Sequence, residues 1–142
     1  MNKERLVKII EDLQECFGDI EECLEILQGD CDNEIMVKLS KSSLRQLFVS
    51  FHTILEEFAS IMLKEIKKYK IGMTLNDSLV VLKDKNIIDK DLFDFLEKSR
   101  LLRNRISHRY KEPDHEELMK HIVKYKSNFK RIIRLAKKHL RD

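Results

Sequence analysis

The chain contains very few residues that interrupt a helix. It has three glycines and one proline in 142 residues, and Leu, Ile, Lys and Glu are abundant. Tight turns and strand ends usually need Gly, Pro or clusters of Asn and Asp. The sequence therefore predicts an all-α protein. We expect an antiparallel bundle of four main helices plus a short one, in a single domain over residues 1–142.

Apolar residues recur every three or four positions along five segments, as expected for amphipathic helices. The first segment extends from Lys3 to Gln28. The second starts between Asn33 and Lys41 and ends near Tyr69. Residues that favour helix starts precede the remaining three segments, and these are Thr74, Asp89 and Asp114.

Composition excludes several classes of protein. The longest uncharged run, between Arg45 and Glu56, is too short for a membrane span, and no secretory signal is visible. We therefore expect a cytoplasmic protein with no membrane partner.

The three cysteines lack C-x-x-C spacing. His115 and His121 are six residues apart, whereas H-E-x-x-H needs four, so we predict no metal site. No glycine-rich phosphate loop is present, and we expect no cofactor.

Charge is distributed unevenly along the chain. Residues 1–34 contain three basic and eleven acidic residues, whereas residues 98–111 contain six basic residues and no acidic one. A basic region of this kind attracts phosphate-rich partners such as RNA. Solvated helix faces are the simpler explanation where no motif accompanies the charge.

A motif does accompany it. Residues 103–110 place Arg103, His108 and Tyr110 in the order R-x4-H-x-Y. An imidazole can transfer protons near neutral pH, and a guanidinium binds phosphate oxygens. We expect His108 to act as general acid or base and Arg103 to stabilise charge on a phosphoryl group, with the RNA 2′-hydroxyl as nucleophile. The expected supporting, RNA-binding residues are Asn104, Arg105 and Arg109.

A helical wheel divides the fourth segment into two faces. The expected core face contains Leu92, Phe95, Leu96, Ser99, Leu102 and Ile106. The opposite face contains Phe93, Glu97, Leu101, Asn104 and His108. Two large apolar residues on that second face predict another packing surface, most simply a two-fold homodimer contact. Arg103 and His108 are about 140° apart on a regular helix. Either the helix unwinds near Ser107, or the site combines residues of two chains.

Residues 103–110 resemble the R-x4-H-x-Y signature of HEPN domains, in particular the HepT-like toxins. The layout of long, aromatic and capped helices, including residues 82–88, is also similar. The resemblance implies a HEPN-like bundle and a metal-independent RNA endonuclease, the toxin of a toxin–antitoxin pair, with Arg103 and His108 catalytic. It further implies a homodimer with facing motifs, and a cognate minimal nucleotidyltransferase antitoxin that transfers AMP from ATP to Tyr110.

Two other interpretations stay open. The chain can be a non-catalytic regulatory or substrate-binding subunit of a nucleotidyltransferase, or a helical interaction module with a solvated basic face. Mere binding does not need a neutral-pH proton carrier such as His108, so the motif favours the nuclease over the interaction module. His52 lies within the apolar stripe of the second segment. We interpret it as a core or interface histidine with satisfied hydrogen bonds rather than as a ligand.

Overall fold

The computed structural model describes residues 2–108 and 110–142. Within these ranges the chain forms six α-helices and no strand, which confirms the all-α prediction. The helices are α1 (Lys3–Gln28), α2 (Glu34–Glu65), α3 (Leu75–Asp84), α4 (Lys90–Ile106), α5 (His115–Lys124) and α6 (Lys126–Arg141).

Side-chain caps fix where the helices begin. Asn33, Thr74, Asp89 and Asp114 each accept a hydrogen bond from the backbone N–H three residues further on. Thr74 also forms a reciprocal capping box with Asp77. Such side chains satisfy backbone donors that have no partner inside the helix. The three starts predicted from cap chemistry are therefore confirmed.

The last predicted helix is two helices. The backbone departs from helical geometry at Tyr125, with φ −105° and ψ 18°, so that α5 ends at Lys124 and α6 begins at Lys126. The Tyr125 ring lies 5.1 Å from the Phe95 ring and 4.9 Å from the His121 ring, measured between centroids. The contact with Phe95 of α4 accompanies a break that no Gly or Pro marks in the sequence.

Despite this break, α5 and α6 together run antiparallel to α4. Facing residues occur along both, and they include the pairs Asp91–Asn128, Phe95–Tyr125, Ser99–His121 and Arg105–Glu117. With α1 and α2 they form the four long elements of the bundle, and α3 is the short one. The predicted arrangement of four main helices plus a short one is therefore observed, with the fourth element divided.

Helix α2 is central, because α1, α3 and α4 all pack against it. Aromatic side chains fill the middle of the core, where the Phe129 ring lies 4.7 Å from Phe51 and 5.1 Å from Phe95 between centroids. These three rings are at most 1% exposed. In the part of the chain that the structure describes, no helix has the length and apolar character needed to cross a bilayer.

Candidate functional site at the end of α4

The motif begins inside α4 and continues beyond its end. The helix ends at Ile106, and the next two backbone N–H groups turn back, Ser107 to the Asn104 carbonyl (3.2 Å) and His108 to the Arg105 carbonyl (3.1 Å). His108 is thus outside the helix. Helix α4 therefore ends next to Ser107, as the first of the two alternatives predicts, so the helical wheel does not apply to His108.

Arg105 holds the segment that follows α4. Its Nε donates to the Lys111 carbonyl at 2.9 Å, and its two terminal nitrogens bind both carboxylate oxygens of Glu117 on α5. The hydrogen bond from Arg105 lowers the pKa of Glu117, so the carboxylate stays ionised at neutral pH. The Arg105 guanidinium is therefore bound to protein groups rather than free. Glu117 accordingly binds Arg105 instead of completing a capping box with Asp114.

Arg45 of α2 holds the same segment from its other side. Its Nη1 forms an ion pair with Glu112, and its Nη2 donates to the Pro113 carbonyl at 3.0 Å. Two arginines from different helices thus position residues 111–113. No local pattern in the sequence indicates Arg45, which lies in a different helix and more than sixty positions from its partners.

The middle of this segment faces solvent. His108 is exposed and Tyr110 is fully exposed, at 102% of its reference area. Backbone bonding supports the turn, because Lys111 N–H donates to the His108 carbonyl at 3.0 Å. Arg109, the third predicted supporting residue, lies outside the described residues. The structure thus presents the motif histidine and tyrosine on an exposed turn with a fixed base.

Arg103 and Asn104 point to a different place. They line a cavity of about 420 Å³ with residues of α2 and the start of α3, among them His52 and Glu56. His108 and Tyr110 do not line it. Within a single chain Arg103 and Asn104 therefore share a cavity that His108 does not line.

His52 is buried without a partner. It is 1% exposed, and both of its ring nitrogens, like Nε of Arg103, are buried without a hydrogen bond to any described residue. Burial lowers the pKa of His52 to about 3, with smaller contributions from the positive charge of Arg103 and from His121. The imidazole is therefore neutral at pH 7. The interpretation of His52 as a histidine with satisfied hydrogen bonds is wrong, because its neighbours on α2 are the apolar rings of Phe48 and Phe51.

The residues predicted to lie on the core face of α4 are buried or partly buried. The prediction for the opposite face is only partly correct. Leu92, Phe95, Leu96, Ser99 and Leu102 are buried, while Ile106 is partly buried. On the opposite face, Leu101 is 52% exposed, but Phe93 packs against the core with Lys83 Nζ 4.8 Å from its ring centroid. The interpretation of Phe93 as part of a second packing surface is wrong, because α3 covers that side of α4.

His121 is partly buried between α4 and α5. Its Nε2 lies 2.6 Å from the Ser99 hydroxyl of α4, and its ring stacks on Phe95. Burial lowers the pKa of His121 to about 4, with smaller effects of Lys124 and Lys98. No group of three or more His, Cys, Asp or Glu side chains suited to a metal occurs among residues 2–108 and 110–142.

Comparison with known proteins agrees with this fold and motif. No curated protein and no solved structure matches the chain. The family model described as "Ribonuclease HepT-like" matches residues 9–136, which include all of the core helices apart from the ends of α1 and α6. The chain therefore belongs to the HepT-like ribonuclease family.

Proposed function

We propose that the protein is a metal-independent RNA endonuclease that acts as the toxin of a toxin–antitoxin pair. The observation that carries this proposal is the intact R-x4-H-x-Y motif on a positioned, exposed turn, in a chain of the HepT-like ribonuclease family. His108 is open to solvent, so a phosphodiester can approach it. The six basic residues of segment 98–111 favour a polyanion at this end of the molecule.

The chemistry needs the RNA itself as nucleophile. His108 accepts the proton of the 2′-hydroxyl, whose oxygen attacks the adjacent phosphorus, or donates a proton to the 5′-oxygen as that bond breaks. Arg103 stabilises negative charge on the phosphoryl oxygens. The products are a 2′,3′-cyclic phosphate and a free 5′-hydroxyl. Asn104, which shares a cavity with Arg103, helps to bind the substrate.

A homodimer brings Arg103 and His108 together in one site. Within one chain His108 does not line the cavity that Arg103 lines, and Leu101 is an exposed apolar residue of the helix that contains Arg103. Two copies that meet through this part of α4 form a cleft with two motifs. In that arrangement Arg103 of one copy acts with His108 of either copy.

Tyr110 is the proposed control point. Its side chain is fully exposed and two residues from His108, so an antitoxin of the minimal nucleotidyltransferase type can reach its hydroxyl. Transfer of AMP from ATP to that oxygen, with release of pyrophosphate, places a bulky anion beside the basic turn. Such a group repels RNA and blocks the approach to His108.

RNA cleavage by the purified protein tests the nuclease. Wild type is compared with His108→Ala and Arg103→Ala on single-stranded RNA, in the presence of EDTA, and the termini of the products are identified. We expect cleavage to cyclic phosphate ends by wild type and a loss of at least a hundredfold in either variant. His139→Ala, which changes a histidine of α6 outside the motif, serves as the matched control.

Absence of cleavage by wild type, or equal cleavage by wild type and His108→Ala, contradicts the nuclease. The non-catalytic subunit then remains, and it predicts that the protein changes the activity of a neighbouring nucleotidyltransferase without any effect of His108→Ala on RNA.

A further inference from the structure

The cavity between α2, α3 and α4 contains polar atoms that nothing in the described chain satisfies. His52 and Arg103 line it, and both ring nitrogens of His52 and Nε of Arg103 are buried without a hydrogen bond. An atom of this kind costs folding free energy relative to a bonded one. Unsatisfied buried groups are rare in native proteins and need an explanation, such as a catalytic role or a bound molecule. Because His52 and Arg103 also line the cavity, these atoms indicate a binding site.

The charges around the cavity select the ligand class. Glu56 brings a carboxylate and Arg103 a guanidinium, while the other lining arginine, Arg100, is bound by both its Nε and its Nη2 to Glu97 (3.0 and 3.2 Å). A free anion is disfavoured by Glu56, and a cation by Arg103. The neutral imidazole of His52 offers one donor and one acceptor. The best match is an uncharged ring that carries both donors and acceptors on its edge.

A nucleobase has these properties, and the cavity has room for one. Its volume of about 420 Å³ falls within the range of small-molecule sites, about 300–1,000 Å³. Single-stranded RNA exposes unstacked bases that proteins read by hydrogen bonds to their edges. The amide side chains of Asn76 and Asn104 add further donors and acceptors to the cavity lining.

The position of Arg103 links this cavity to the reaction. Its Nε is buried at the cavity wall, while its half-buried side chain belongs to the motif. We propose that the cavity binds one base of the RNA substrate, beside the phosphate on which Arg103 acts, and that His52 and Glu56 read the polar edge of that base. This inference takes its substrate class from the proposed function. It adds a base preference that the motif alone does not give.

Nucleotide binding tests the cavity without any need for cleavage. The nitrogen-15-labelled protein is titrated with each of the four ribonucleoside 3′-monophosphates, and the ring signals of His52 are followed by NMR. We expect one nucleotide to bind about tenfold or more tightly than the weakest, because a polar site rejects a base that leaves its groups unpaired. We also expect that nucleotide to shift the His52 ring signals.

Two exposed glutamates provide the variant and its control. Glu56→Gln replaces an acceptor of the cavity by an amide, whereas Glu57→Gln makes the same change one residue further on, outside the cavity. We expect Glu56→Gln to change the ratio of affinities between the bases by about tenfold. Glu57→Gln should keep the wild-type ratio.

Equal binding of the four nucleotides, unmoved His52 signals, or an unchanged ratio in Glu56→Gln overturns the base site. Equal shifts of the His52 signals with inorganic phosphate alone also overturn it, since they indicate an anion site. A protein that binds one base selectively but cleaves no RNA supports the cavity and contradicts the nuclease. Cleavage of RNA without base-selective binding supports the nuclease and contradicts the base site.

Discussion

Arg103 and His108 lie in different structural elements, the arginine in the last turn of α4, which ends at Ile106, and the histidine in the exposed turn that follows. The helix and its packing fix Arg103. His108 depends on hydrogen bonds and ion pairs that Arg105 and Arg45 make with residues further along the segment. The two proposed catalytic groups are thus positioned by different means. Changes to the segment can affect one without the other.

Glu117→Gln should reduce RNA cleavage without unfolding the protein. The substitution removes the charge that binds the Arg105 guanidinium, so the turn that carries His108 loses one of its two supports. Misplacement of a catalytic group lowers the rate, and we expect a loss of about three- to tenfold. The thermal midpoint should change little, because the ion pair is exposed. Cleavage rates and thermal unfolding of Glu117→Gln and the neighbouring control Glu116→Gln check this. Equal rates in the two variants contradict it.

His52→Leu should stabilise the protein. Leucine removes two buried ring nitrogens that have no partner among the described residues and adds apolar area beside Phe48 and Phe51. We expect the free energy of unfolding at pH 7 to rise by about 1–2 kcal/mol. Urea denaturation measures the change, with His115→Leu as the control. A loss of stability in His52→Leu means that the ring is satisfied in solution.

Stability should decline as the pH falls below about 6.5. Burial lowers the pKa of His52 to about 3 and that of His121 to about 4, whereas both protonate near their ordinary value of 6.5 in the unfolded chain. The unfolded state therefore binds more protons in this range, so acid favours unfolding. Each histidine contributes up to about 1.4 kcal/mol per pH unit. The loss begins near pH 6.5 and continues towards pH 4.

Urea denaturation between pH 6.5 and 5, above the range in which most carboxyl groups titrate, measures this dependence. His52→Leu should remove about half of the slope that the two histidines produce. The groups that face His52 are Arg103 and His121, and those that face His121 are Lys98 and Lys124. An unchanged slope in His52→Leu contradicts the low pKa of His52.

Much of the fold follows from local sequence patterns. The cap residues Thr74, Asp89 and Asp114 bind backbone groups within three positions of themselves, so the helix starts could be predicted without tertiary structure. The buried face of α4 likewise follows from the helical period. The end of α2 was misjudged by several residues. Lys67 has a left-handed φ of 58° just after the C-cap Ile66. Glycine is the residue most often found in this conformation at the end of a helix.

The candidate site was predicted less well, because its geometry depends on contacts between distant residues. Arg45 reaches Glu112 across the bundle, and α3 covers Phe93. The cavity at Arg103 involves three helices, so no local spacing indicates that His52 and Glu56 border it. A histidine inside an aromatic, apolar stripe was the one available signal. The sequence offered no means to tell a satisfied ring from an unsatisfied one.

Leu101→Glu should dissociate the proposed homodimer. Leu101 is 52% exposed on α4, and a carboxylate at the centre of a two-fold contact is placed against its own copy, where like charges repel. We expect wild type to sediment as a dimer and the variant as a monomer with reduced RNA cleavage. Val7→Glu, at a 40% exposed apolar position of α1, is the control. A monomeric wild type that cleaves RNA contradicts the composite site.

Tyr110→Phe should prevent inactivation by the antitoxin while it preserves the nuclease. The phenol is fully exposed and has no ring contact or hydrogen bond with the described residues, so loss of its oxygen removes the acceptor of AMP and little else. After co-expression with the neighbouring nucleotidyltransferase, intact mass should show an AMP adduct on wild type and none on Tyr110→Phe. Tyr69→Phe, which changes a 43% exposed tyrosine near the end of α2, should keep the adduct. An adduct that survives Tyr110→Phe assigns the modification to another residue.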